Sequence, residues 1–123
     1  MTTTTNRDLV LDAVARFSAG DLDAFLDLLH EDFLSHNPGV RGPGRTAFGD
    51  YLRGSEWLHS STVTVQRVLA DADHVAVHTR IDTGQGAGLA TVDLFRVHDG
   101  RIAEHWDVIQ QIPEDPLNPH AFF

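Results

Sequence analysis

Near residue 60 the apolar residues of this chain stop recurring every three or four positions and begin to alternate, which restricts the fold more than any single motif. In the first half, Thr5 with Asp8 forms a capping-box pattern, and Leu9, Val10, Ala13, Val14 and Phe17 repeat at helical spacing until Gly20. Asp21 is placed to cap a second short helix with the stripe Leu22, Phe25, Leu26 and Leu29. The run EDFLSHNPGVRGPG is expected to be a short strand and a Gly/Pro loop, followed by a third helix over 46–53. In the second half, strands are expected over 61–70, 74–82, 89–97 and 101–112, the last two joined by a tight turn at His98, Asp99 and Gly100. Helices first and an antiparallel meander after them make an α+β domain, since βαβ units would alternate along the chain.

With 123 residues the chain suits one domain, 1–123, with a disordered start over 1–5 and a proline-rich tail over 113–123 whose Phe122 and Phe123 are expected to dock. A formal charge of −9 disfavours nucleic acid and acidic membranes as partners. No run reaches the roughly 18 apolar residues of a membrane helix. The start MTTTTNRD lacks the apolar centre of a secretion signal, so a cytoplasmic protein acting on a small molecule is expected. Absence of cysteine rules out thiolate nucleophiles and thiolate metal sites, and absence of lysine rules out Schiff-base chemistry. Carbonyl chemistry on this chain would run by acid–base catalysis without a cofactor.

The run EHWDVIQ lies in the last strand, where period two puts His105, Asp107 and Ile109 on one face and Glu104, Trp106, Val108 and Gln110 on the other. Both faces carry apolar residues. The expectation is a sheet whose helices close a pocket on one side, while a second copy packs on its outer face to make a homodimer, with Trp106 on that side. A three-residue turn would set Asp93 opposite His105 and Phe95 opposite Ala103, whereas a two-residue turn would set Leu94 opposite His105. The first is preferred because it gathers Asp93, His105 and Asp107 on one face.

FLSHNPGVRGPGRTAFGDYL, HVAVHTRID and VDLFRVHDGRIAEHWDVIQQIPE resemble the SnoaL-like polyketide-cyclase group, within the superfamily of ketosteroid isomerase and nuclear transport factor 2. The resemblance spans nearly the whole chain and is most specific over 92–114. It implies a cone-shaped barrel in which a curved antiparallel sheet wraps around N-terminal helices, the nuclear transport factor 2-like or cystatin-like fold. That fold is usually homodimeric and has a deep apolar pocket. It also implies that Asp107, aligned on the DGRI turn, is the acid/base of an aldol-type ring closure, accompanied by His105. Asp93 stands where the cyclases are expected to carry histidine, at the strand position of the neutral pocket acid of ketosteroid isomerase. Ala13 stands where that isomerase places a first-helix tyrosine, which argues against steroid isomerisation.

Deprotonating a carbon beside a carbonyl needs a base and a donor for the developing enolate oxygen. Asp107 is the candidate base, and Asp93 is expected to titrate with it as a coupled pair in a desolvated pocket, one a protonated donor and the other an ionised base. His105 is expected to orient Asp107 or to donate to the substrate. Pro38 holds Asn37 extended, so Asn37 or His36 is expected at the pocket mouth, with Asn37 suited to oxyanion donation. His78, Tyr51, Phe95 and Trp57 complete the candidate lining. Three other readings stay open: epoxide hydrolysis by Asp93, Asp107 and Arg80, a zinc or iron site from His36, His78, His105 and Asp107, and a non-catalytic ligand-binding or dimerisation module.

Overall fold

The computed structural model describes residues 5–123. Thr5 opens helix α1 (Asn6–Ser18), its hydroxyl accepting the Asp8 N–H at 3.0 Å and so satisfying a donor that the first turn leaves free. The rest of the expected disordered start, 1–4, lies outside the described residues. Val10 and Ala13 on the inner face of α1 are fully buried. Asp21 caps α2 (Leu22–Leu26) by accepting the Ala24 N–H at 3.1 Å. This helix is shorter than its apolar stripe, because Leu29 begins strand β1 (Leu29–Ser35) and is fully buried there.

The Gly/Pro loop leads to α3 (Arg45–Gly54) and a short α4 (Glu56–His59) that periodicity does not mark. Glycine inside α3 costs about 1 kcal/mol of helix propensity relative to alanine. Packing explains its presence, since a β-carbon at Gly49 would stand 3.0 Å from Leu26 Cδ1.

Strands β2 (Thr62–Asp71), β3 (His74–Asp82), β4 (Leu89–His98) and β5 (Arg101–Gln111) form the meander. The five-stranded sheet runs β1-β5-β4-β3-β2 and is antiparallel except that β1 pairs parallel with β5. Helix α1 lies across β2 and β3, and α3 lies against β1, so the helices cover one face. Val75, Val77, Phe95 and Val97 point to that face, while Val92, Leu94 and Val108 on the other are 40%, 40% and 71% exposed. The tail folds back onto this outer face, where the Phe123 ring stacks on His78 at 5.4 Å beneath the Arg80 guanidinium. No helix among the described residues is long and apolar enough to cross a membrane.

The β4–β5 hairpin differs from both expected registers. Its turn has two residues, Asp99 and Gly100, both at positive φ (48° and 75°), so His98 pairs with Arg101 and Val97 with Ile102. A ladder continued straight from this turn would set Leu94 opposite His105 and turn His105 and Asp107 to the outer face. Instead the register shifts between Arg96 and Val97: Ala103 is an extra residue, Arg96 pairs with Glu104 and Phe95 with His105. Asp93 therefore faces Asp107 rather than His105, and all three lie on the inner face.

Candidate active site

Between the helices and the inner face of the sheet lies a cavity of about 110 Å³. Its walls are apolar, with six aromatic rings: Phe17, Phe25, Phe48, Tyr51, Trp57 and Phe95. Its polar groups come from the strands and the end of β1: Asn37, Thr79, Thr91, Asp93, His105 and Asp107. Strand alternation explains the grouping, because Thr79 shares the inner face of β3 with Val75, Val77 and Ile81, and Thr91 and Asp93 share that of β4 with Phe95.

His105 is buried at 5% exposure and stacked on Phe95 at 4.9 Å, with Phe48 and Phe33 rings at 5.7 and 6.3 Å. Its Nε2 lies 2.9 Å from Asp93 Oδ1. The other Asp93 oxygen accepts from the Thr91 hydroxyl at 3.3 Å, and Thr91 is itself bonded to the buried Thr79 hydroxyl. A carboxylate at Asp93 accepts only, and with such a partner the imidazole proton sits on Nε2. Nδ1 is then left toward Ser35 Oγ, 3.5 Å away. Ser35 stands beside His105 because β1 and β5 pair there in parallel.

Asp107 is held separately. Asn37 Oδ1 accepts the Gly39 N–H at 2.8 Å, which fixes the amide so that Nδ2 points to Asp107 Oδ2 and donates at 2.7 Å. Asp107 Oδ1 has no protein partner among the described residues. The Ser35 hydroxyl accepts the Asn37 N–H at 3.2 Å, tying this loop to the His105 side of the site. A β-carbon on Gly39 would stand 2.8 Å from Tyr51 Cε2 and 3.2 Å from Asn37 Oδ1, so the Tyr51 ring packs directly on this turn.

Asp107, His105, Asp93, Asn37, Tyr51, Phe95 and Trp57 thus line one cavity. His36 and His78 do not. His36 turns to the outer face, where its ring lies parallel to Trp106 at 4.8 Å and Nε2 bonds Glu104 at 2.6 Å. Hydrogen bonds from His36 and from Arg96 hold the Glu104 carboxyl below the usual glutamate range. His78 alternates with buried Val77 and Thr79 and therefore faces outward, against Arg67 and Phe123. Arg80 shares that outer face, away from the two aspartates that epoxide hydrolysis would pair it with.

The histidine-rich metal set is dispersed in the same way. Asp93, His105 and Asp107 alone bring ligand atoms within 4.8 Å of one another among the described residues. Together they could hold a divalent cation only if His105 exchanged its bond to Asp93 for coordination. Sequence reasoning missed Ser35, Thr79 and Thr91. The two threonines were detectable as the polar members of otherwise apolar inward sets, whereas Ser35 depends on a pairing 70 residues away in sequence.

The SnoaL-like domain family profile matches residues 10–105. No curated protein matches the chain significantly in sequence. Among solved structures, a candidate ketosteroid isomerase from Kribbella flavida is similar with TM-score 0.78 and 23% identity, covering 96% of this chain and 87% of that one. IdmH, a candidate polyketide cyclase from Streptomyces antibioticus, gives 0.69 and 24%, covering 85% and 91%. A candidate polyketide cyclase from Sinorhizobium meliloti gives 0.72 and 23%, covering 84% and 94%. At these identities the likeness establishes a nuclear transport factor 2-like α+β fold.

Proposed function

The chain belongs to the SnoaL-like domain family, and from that premise we propose that it is a cofactor-independent acid–base enzyme acting beside the carbonyl of an apolar molecule. The reaction class is aldol-type cyclisation or cleavage, or isomerisation. The observation that carries this reading is Asp107: one carboxylate oxygen fixed by Asn37, the other free of protein partners among the described residues, in a cavity walled by aromatic rings. Such a carboxylate is half-buried, oriented and able to receive a proton from carbon.

In this scheme Asp107 Oδ1 takes the proton from the carbon beside the carbonyl, and negative charge moves to the carbonyl oxygen. The second Asn37 amide hydrogen and the Tyr51 hydroxyl are the donors available to that oxygen, because His105 and both threonines are engaged with Asp93 and with each other. Asp107 then returns the proton to product. His105 with Asp93 acts as a fixed electrostatic support for Asp107. We also propose a homodimer through the outer sheet face, supported by the exposure of Val92, Leu94 and Val108 there; sedimentation equilibrium of Val108→Asp against the parent protein tests it.

Deuterium exchange into carbons beside the carbonyl, followed by NMR for a panel of apolar ketones and esters, tests the catalytic reading without knowledge of the natural substrate. Exchange should be enzyme-dependent and should fall by at least about a hundredfold in Asp107→Asn. A binding module would instead show ligand affinity unchanged in that variant and no exchange with any member of the panel.

A further inference from the structure

The charged side chains lining the cavity are Asp93, Asp107 and His105, and none of the nine arginines is among them. With both carboxylates ionised, the two acids and one imidazole give a formal cavity charge of −2 when His105 is neutral and −1 when it is protonated. Three of the arginines are paired elsewhere: Arg96 with Glu104 on the outer face, Arg16 with Asp12 on α1, Arg53 with Asp23 at the helix surface. A ligand carrying a carboxylate or phosphate would have to leave water and meet like charge with no arginine to receive it, inside walls of low dielectric. A basic amine meets the reverse, a carboxylate oxygen without a protein partner and aromatic faces that attract cations.

The geometry points to a charge filter: this cavity admits neutral molecules and ammonium cations and rejects anionic forms of the same skeleton. This rests on the cavity being the substrate site, and it goes beyond that reading by naming the charge class of the substrate. The whole chain works in the same direction, since a formal charge of −9 repels anions before they arrive. The local and long-range contributions separate in salt, because about 0.5 M screens charges more than a few ångströms apart through solvent and leaves contacts inside the cavity little changed.

Three probes on one ring system read the filter: acetylnaphthalene, naphthoate and naphthylmethylammonium, titrated into the full chain by calorimetry. At high salt naphthoate should bind at least about tenfold more weakly than acetylnaphthalene, and naphthylmethylammonium at least as tightly as the ketone. Asp107→Asn should narrow both gaps, and Asp93→Asn serves in its place if that variant does not fold. Naphthoate binding within twofold of the ketone at high salt overturns the filter, as does a gap unchanged in a folded variant, or failure of all three probes to bind. If the charge order holds but no carbonyl compound undergoes deuterium exchange, the filter stands and the acid–base reading falls.

Discussion

Asp93 and Asp107 face each other directly across the β4–β5 pair, yet their carboxylates are held by different partners: Asp93 by His105 and Thr91, Asp107 by Asn37. That separation leaves the two acids in different surroundings. One has both oxygens occupied, and the other keeps an oxygen for a ligand.

Removing the Asn37 side chain should therefore affect the base and the fold together. Asn37→Ala deletes the bond that orients Asp107 and leaves the Gly39 N–H without its acceptor. A loss of about 1–3 kcal/mol in denaturant unfolding is expected. Enzyme-dependent exchange should fall by on the order of tenfold to a hundredfold through misplacement of the carboxylate. Unchanged exchange in the folded variant would mean that Asp107 needs no such holder.

His105 should show a single tautomer. Nitrogen-15 imidazole spectra at neutral pH are expected to place the proton on Nε2, facing Asp93. In Asp93→Asn, the Thr91 hydroxyl should still claim the side-chain oxygen and so turn the amide N–H toward His105. The imidazole would then have to accept at Nε2 and carry its proton on Nδ1, toward Ser35. Retention of the Nε2 proton in that variant would contradict the network drawn here.

The pH dependence of stability should carry a signature of Glu104. Its folded carboxyl is held low by His36 and then Arg96, so its stabilisation is fully present above the ordinary glutamate value of 4.5 and is lost as pH falls through the folded value below that. Glu104→Gln should lower Tm at neutral pH, and the deficit should close on acidification. Equal Tm values for the two proteins at neutral pH would show that the outer-face cluster contributes nothing.

Deleting Ala103 is expected to be tolerated. The residue is unpaired, and its removal leaves Phe95 opposite His105 and Asp93 opposite Asp107 with strict alternation restored. The cost should stay below about 3 kcal/mol by denaturant unfolding, the upper end for most single changes. His105 should remain protected from solvent in hydrogen exchange of its ring N–H.

All the helices and strands except α4 were legible because each hides one face. Leu9, Val10, Ala13 and Phe17 betray α1, and Val75, Val77, Thr79 and Ile81 betray β3. The grouping of Asp93, His105 and Asp107 was also legible, but the register behind it was not, because an alanine in a strand carries no mark of being a bulge. His36 could not be placed from the SHNPG run alone. Its direction depends on how β1 meets β5, and that pairing joins residues about 70 positions apart. The same long-range pairing supplies Asn37 to Asp107, so a residue expected as an oxyanion donor also holds the Asp107 carboxylate.

The Tyr51 ring resting on Gly39 has one more consequence. Gly39 does not line the cavity, yet it decides where that wall stands, because a methyl group at this position would overlap the ring edge at 2.8 Å and the ring, being a side chain, would swing away. Cavity size can therefore be tuned from outside the chamber: a single hydrogen-for-methyl exchange in the loop behind the phenol would narrow the room, while pressing on Asn37 Oδ1 at 3.2 Å, without substituting any residue that lines it.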